Sequence, residues 1–305
     1  MAGRSSARIL ALLELADEAP TVEELAGYLA DPDAEVRRTA LSVLSEAAED
    51  WAEASPVFAA ALADPDAGVR DRAIDLLAEL REVLIAGTEF ADALRAATTQ
   101  PDPAVRIAAI GSLWRHGLST EAELTGLLND SVEYVRAEAI LGLVSLDALD
   151  AIDAAAADPS ATVRLAVARA VAAVGDPRGV TTLITLSGDS DPLVRAAALN
   201  GMAATGCTEA AVAIAASALT DPAWQVRQGA AAALSAADPA DAVGPLITAA
   251  TDGNLDVRKA AVRALLPRIA GRPAVRAALE HARSDVDADV RAFARMGLTA
   301  TDHDR

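Results

Sequence analysis

The dipeptide Val-Arg recurs at a near-constant interval along the chain, with its valine at Val36, Val69, Val105, Val135, Val163, Val194, Val226, Val257 and Val290. Successive spacings are 33, 36, 30, 28, 31, 32, 31 and 33 residues. A period this steady argues against a single closed core, because self-similarity at about 20–50 residues is the mark of stacked supersecondary units. Five residues before each valine stands Asp31, Asp64, Gln100, Asp130, Asp158, Asp189, Asp221, Asp252 or Asp285, so eight of the nine positions are aspartate. Proline follows at Pro32, Pro65, Pro101, Pro159 and Pro222.

Each Asp-Pro reads as the end of one helix and the start of the next, since Pro suits a first helical turn and Asp can cap free amide donors. Counting from the valine, apolar residues fall at +4, +5 and +8, as in Ala40, Leu41 and Leu44, or Ala73, Ile74 and Leu77. That is the stripe of a helix burying one face. Between these helices lie Thr21 to Ala30, Trp51 to Ala63, Glu89 to Thr99, Thr120 to Leu128, Arg178 to Leu186, Glu209 to Leu219 and Ala240 to Ala250, each long enough for one more helix. Thr21 with Glu24, and Thr120 with Glu123, have capping-box spacing. Hydrophobic residues make up 52% of the chain but aromatics only 3%, so Ala, Leu and Val must build the core. Small side chains let helices pack closely and favour helix over strand.

The Asp followed six residues later by Arg, with Val just before the Arg, resembles the signature of HEAT repeats, specifically the short PBS-lyase HEAT-like kind, over residues 20 to 300. The resemblance implies an all-α fold: a right-handed α-solenoid, or α-α superhelix, of about nine helix pairs. It implies little about activity, because that family spans scaffolds, chromophore lyase subunits, a DNA glycosylase and accessory domains of enzymes.

The expected organisation is an N-terminal capping helix within residues 1–19, a single repeat domain over 20–300 and a disordered tail at 301–305. In the first helix, Ile9, Leu12 and Leu13 are expected to face inward. At the other end Arg295 occupies a +5 position that is apolar elsewhere, which makes Asp285 to Leu298 the expected closing cap. The repeated charges read as architecture, because an Arg one residue past a core Val needs a partner and the Asp of the preceding turn is close enough to supply it. Arg37, Arg70, Arg106, Arg136, Arg164, Arg195, Arg227, Arg258 and Arg291 are assigned to such a ladder with Asp31, Asp64, Asp130, Asp158, Asp189, Asp221, Asp252 and Asp285.

Catalytic, metal-binding and cofactor-binding constellations are missing from the sequence. His116, His281 and His303 have no metal-ligand partner at helical spacing and read as solvated surface residues, and no phosphate-cradling loop or nucleophile elbow occurs. Cys207 reads as a small buried hydrophobe and cannot form an intramolecular disulfide, which suits a reducing, cytoplasmic setting. No membrane partner is expected, since no apolar run of about 18 residues exists. The formal charge is −19, with 28 acidic and 11 basic residues in 1–150 against 17 and 15 in 151–305. The first half therefore repels nucleic acid and permits basic partners.

Positions +2, +3, +6 and +10 face away from the core stripe and, in a solenoid, line its inner surface. Repeats one and two place Arg38, Thr39, Ser42, Glu46, Asp71, Arg72, Asp75 and Glu79 there. Repeats three to seven place Ile107, Ala108, Gly111, Leu141, Leu165, Ala166, Ala196, Ala197, Gly229 and Ala232 there, an apolar strip of the kind that marks a partner surface. Repeat eight adds Lys259 and Arg263, in a stretch, 258 to 295, with nine basic and four acidic residues. Tyr134, Leu193 and Trp224 stand on the turn ridge as interface anchors. These features point to a non-catalytic scaffold or adaptor holding a protein segment in a concave groove. The alternative, carried by the family resemblance, is a lyase-type or assembly subunit that positions a cofactor on a client protein. Nucleic-acid binding ranks last, because such a groove must be basic.

Overall fold

The computed structural model describes residues 2–300, with side chains from 5 to 299; the tail at 301–305, and His303 with it, lies outside the described residues. Nineteen α-helices and three 3-10 turns, and no strand, occur among the described residues, which is the α-solenoid expected of the repeat. The chain divides into two compact units, the first ending at Ser145 and the second beginning at Leu146. In the first, α1 (Ala2–Ala16) precedes four pairs: α2 (Val22–Leu29) and α3 (Ala34–Ala47), α4 (Trp51–Ala60) and α5 (Ala67–Glu79), α6 (Thr88–Ala97) and α7 (Pro103–Arg115), α8 (Glu121–Leu127) and α9 (Glu133–Val144). The second holds α10 (Leu149–Ala154) and α11 (Ala161–Val174), α12 (Val180–Leu186) and α13 (Pro192–Thr205), α14 (Glu209–Ala218) and α15 (Trp224–Leu234), α16 (Pro239–Ala249) and α17 (Leu255–Leu265), α18 (Pro273–Ala282) and α19 (Ala288–Ala300). Two first helices, α10 and α18, lie outside the segments that the sequence marked.

The nine valines of the repeat are at most 1% exposed, and the residues four beyond the first three of them, Ala40, Ala73 and Ala109, are fully buried. Both capping boxes form, with Glu24 N and Glu123 N donating to the threonine hydroxyls and each glutamate accepting from its threonine N–H. The repeated aspartate, however, is not the helix cap. Its Oδ1 accepts the N–H two residues on, at 2.7–2.9 Å, and so closes the turn. The cap is that later residue at Asp33, Asp66, Asp102, Ser160, Asp191 and Asn254.

The ladder runs between repeats rather than within one. Arg37 donates through Nη1 to the carbonyl of its own Asp31 at 2.7 Å. Its Nε and Nη2 grip both carboxylate oxygens of Asp64, in the next repeat, at 2.7 and 2.6 Å. Arg106–Asp130, Arg164–Asp189, Arg195–Asp221, Arg227–Asp252 and Arg258–Asp285 repeat this bidentate contact at 2.6–3.1 Å. The carboxylate is unavailable to its own arginine because it is turned toward its N–H donor and the preceding repeat. Each arginine thus ties two successive turns, and fork-to-fork pairing makes the tie directional. At Asp189, Asp252 and Asp285 the arginine's hydrogen bonds hold the carboxyl below its ordinary range, against burial. At Asp64, Asp130 and Asp221 burial is the largest influence and pushes upward, but the arginine and the backbone N–H together overcome it.

The ends follow the same rule. Arg8 of α1 sets its Nε 2.7 Å from Asp31 Oδ2 and stacks 4.7 Å over the Tyr28 ring, so α1 supplies the first rung in place of a full repeat. Leu12 is buried and Ile9 half-buried, but Leu13, expected inward, is 53% exposed. One step along a helix turns the side chain by about 100°, and Leu12 already takes the inward direction. At the far end Arg291 makes only the carbonyl half of the contact, to Asp285 and Val286, among the described residues.

Candidate functional site

One rung in the first unit is broken. Where every other repeat has aspartate, Gln100 is neutral and one methylene longer, and it takes no hydrogen bond from Arg70 among the described residues. Arg70 keeps its backbone half, with Nη1 2.9 Å from the Asp64 carbonyl. Its Nη2 reaches no nearer than 3.7 Å to the Asp102 carboxylate, and its Nε is buried without a partner. The same junction, between α5 and α7, opens a cleft of about 370 Å³. Its floor and walls are Ile74, Leu77, Ala78, Ala104, Ile107 and Ala108, and its polar edge is Arg81, Ser112, Arg115, His116 and Glu138.

The polar edge is largely self-satisfied. Glu138 Oε1 accepts from Trp114 Nε1 at 2.9 Å and from Arg115 Nη2 at 3.4 Å, while the Arg115 guanidinium lies 4.4 Å over the Trp114 ring. Arg81 pairs with Glu82 at 3.1 Å. His116 is half-buried rather than solvated, edge-on to Phe90 at 5.4 Å. Burial and the nearby Arg115 cation depress its pKa, so the imidazole is neutral at pH 7. What remains open is an apolar slot able to take one or two large aliphatic or aromatic side chains.

The structure divides the predicted apolar strip. In the first unit Ile107 and Ala108 line the cleft, half-buried, and Leu141 (45% exposed) and Tyr134 (60%) stand seven residues apart on one stripe of α9. Gly111 is buried instead, because the Arg115 guanidinium and Glu138 carboxylate occupy the space where a Cβ would project. In the second unit the small residues serve packing. A Cβ on Gly229 would lie 2.7 Å from the Ala196 carbonyl oxygen, and one on Gly201 would lie 2.9 Å from Ala172 Cβ. Close approach of α11, α13 and α15 therefore accounts for Ala196 and Gly229 being buried, with Ala166, Ala197, Ala232 and Leu165 half-covered. Leu193 is exposed there and Trp224 half-buried.

The predicted basic patch is compensated. Lys259 Nζ lies 2.8 Å from Asp289 and 3.7 Å from Asp287, and Arg263 sits 5.6 Å from the Phe293 ring centroid. Arg268, within the same basic stretch, is buried and donates to the carbonyls of Ala264, Leu234, Ser235 and Ala237, capping the C-terminal end of α15. Burial, then Arg272, lowers its pKa. Sequence reasoning missed Arg268, Arg8 and the cleft. Arg8 could have been found from the separation between each arginine and the next aspartate, 24 to 27 residues in the intact rungs and 23 from Arg8 to Asp31. The cleft carried a signal too, since its junction combines the one rung position that is not aspartate with the longest repeat spacing, 36.

Cys207 is half-buried, its Sγ 3.7 Å from the Ala233 carbonyl oxygen, and burial raises its pKa, which keeps it a thiol. Among the described residues no three His, Cys, Asp or Glu side chains are grouped to hold a metal ion, and no helix is long and apolar enough to cross a membrane.

A family described as HEAT repeats matches residues 149–235 and 212–299. A second, described as HEAT repeat associated with sister chromatid cohesion, matches residues 22–44 and 55–77. None of the curated proteins matches this chain. Among solved structures, the chain is similar to the Escherichia coli protein YibA, at 18% identity over 79% of this chain and 91% of that one, with a TM-score of 0.60. It is also similar to an engineered protein at 20% identity over 97% of this chain and 95% of that one, with a TM-score of 0.55. At these identities the likeness concerns the fold.

Proposed function

Because this chain is a HEAT-repeat protein, we propose that it acts as a non-catalytic scaffold that holds a segment of a protein partner, with the α5–α7 cleft of the first unit as its docking point. HEAT repeats are generally protein-interaction scaffolds, and that generality supplies the class of function. The observation that carries the site is the apolar cleft between α5 and α7, beside exposed Leu141 and Tyr134. A partner side chain entering it leaves water for contacts with Ile74, Leu77 and Ile107, and each fully buried aliphatic side chain contributes about 1.5–3 kcal/mol. Tyr134 is suited to anchor such a contact, having an apolar body and a polar tip. A cytoplasmic setting belongs to the same proposal and rests on the single cysteine.

The test compares proteins captured from native lysate by the wild-type chain, by Ile107→Ser with Leu141→Asp, and by Leu165→Asp in the second unit. The first variant is expected to lose a captured protein that the other two retain, with its helical circular dichroism unchanged. Retention by the first variant, or loss only from Leu165→Asp, would move the site out of the cleft.

A further inference from the structure

We propose that the α5–α7 cleft takes a basic amphipathic segment, whose apolar side chains enter the slot while its lysines or arginines pair with Asp71 and Asp75. This rests on the scaffold reading and adds the chemistry of the partner.

The charges around the slot are unequal in what they have left to offer. Arg72 pairs with Glu79 at 3.5 Å and donates to Ser42 at 3.1 Å; Arg81 has Glu82, and Arg115 has Glu138 and the Trp114 ring. His116 carries no charge at neutral pH. Asp71 and Asp75, by contrast, are exposed and make no ion pair or side-chain hydrogen bond among the described residues. They stand one turn apart on α5, so their side chains emerge on one face within about 6 Å of each other. Ile74, between them in sequence, is part of the cleft wall. A segment seated in the slot therefore meets a pair of unanswered carboxylates at its edge.

The wider field has the same sign. Residues 1–145 hold 26 acidic and 11 basic side chains, a formal charge of −15. Such a field raises the association rate of a cationic partner and opposes an anionic one, more strongly at low salt. A helix with lysines at i and i+4 beside a leucine stripe matches both the carboxylate spacing and the apolar slot. An acidic helix of the same shape would bring like charges against Asp71 and Asp75.

The test uses the full chain and two synthetic peptides of about 18 residues, sharing one leucine stripe, with lysine on the polar face of one and glutamate on that of the other. Fluorescence anisotropy should show the lysine peptide binding at least tenfold tighter than the glutamate peptide, and a leucine-to-serine version of it weakened at least tenfold. Asp71→Asn with Asp75→Asn should weaken the lysine peptide about five- to tenfold and flatten its salt dependence. Glu23→Gln with Glu53→Gln, the same charge change on the first helices α2 and α4, should leave it within about twofold. Equal losses from the two pairs would mean that only net charge is sensed and would overturn the inference. Ile107→Ser, or Ala104→Trp if that variant does not fold, separates the two readings. Should the glutamate peptide bind wild type as tightly and be lost from this variant, the cleft stands as a docking site and its preference for basic partners falls. Should neither peptide bind, or the variant bind the lysine peptide normally, both readings fall.

Discussion

The two units share one repeat but spend its outward positions differently. In the first, residues 1–145, the second helices carry charged and bulky side chains such as Asp71, Arg72, Asp75 and Glu79, one rung is broken at Gln100, and a cleft opens between α5 and α7. In the second, residues 146–305, with 19 acidic and 15 basic residues, small side chains let α13 close against α11 and α15. Four intact rungs, from Arg164–Asp189 to Arg258–Asp285, tie that unit together. The apolar strip of the sequence thus has two meanings. Beside large neighbours it lines a slot, and where Ala and Gly face each other it disappears into helix contact.

Acid should test this contrast most strongly, because it acts on every rung at once. The rung aspartates have folded pKa values below their unfolded values, so their contribution is complete above the ordinary aspartate range, about pH 4, and is lost as pH falls through the lowered values. Hydrogen exchange between pH 5 and pH 2.5 should show the sharper acid loss in the second unit, with four such aspartates, than in the first, with Asp64 and Asp130. Equal losses would mean that the ladder does not distinguish the units.

A single rung comes next. Arg164→Ala leaves the largely buried Asp189 carboxylate without its guanidinium and should cost about 3–5 kcal/mol. Arg70→Ala, at the broken rung, removes no close ion pair and should cost clearly less in urea unfolding. If the two variants unfold alike, Arg70 is better satisfied than its geometry indicates.

Glycine substitution tests packing. Gly229→Ala drives a Cβ against a backbone carbonyl that cannot move aside, so a loss of about 1–3 kcal/mol is expected despite better helix propensity. At Gly111 the obstruction is the ends of the Arg115 and Glu138 side chains, which can turn away. Gly111→Ala should be near neutral, and a thermal melt ranking the two the other way round would reverse the account of the strip.

The smallest expected effect is a gain. Gln100→Asp gives Arg70 the kind of partner that Arg37 and Arg106 have and should stabilise the first unit by about 1 kcal/mol. If the broken rung holds the cleft open, the same change should also weaken binding there. Added stability with unchanged binding would uncouple the two.

Much of this molecule is written in its period. The valines, the +4 and +8 stripe, the capping boxes at Thr21 and Thr120, and the location of nearly every helix follow from local sequence, because helix formation depends on neighbours three and four residues away. The arginines of the repeated motif were legible as ladder residues, since an arginine beside a core valine requires an anion, whereas Arg8, outside the motif, was not. Nor was their pairing. Whether Arg37 meets Asp31 or Asp64 depends on how far one turn lies from the next across the stack, a distance set by the core side chains between them. The fate of the apolar strip is of the same kind: Ile107 and Gly229 occupy comparable outward positions, yet one borders an opening and the other touches a neighbouring backbone. Local sequence determines which way a side chain points from its own helix; only the packing of one helix on another decides what is waiting there.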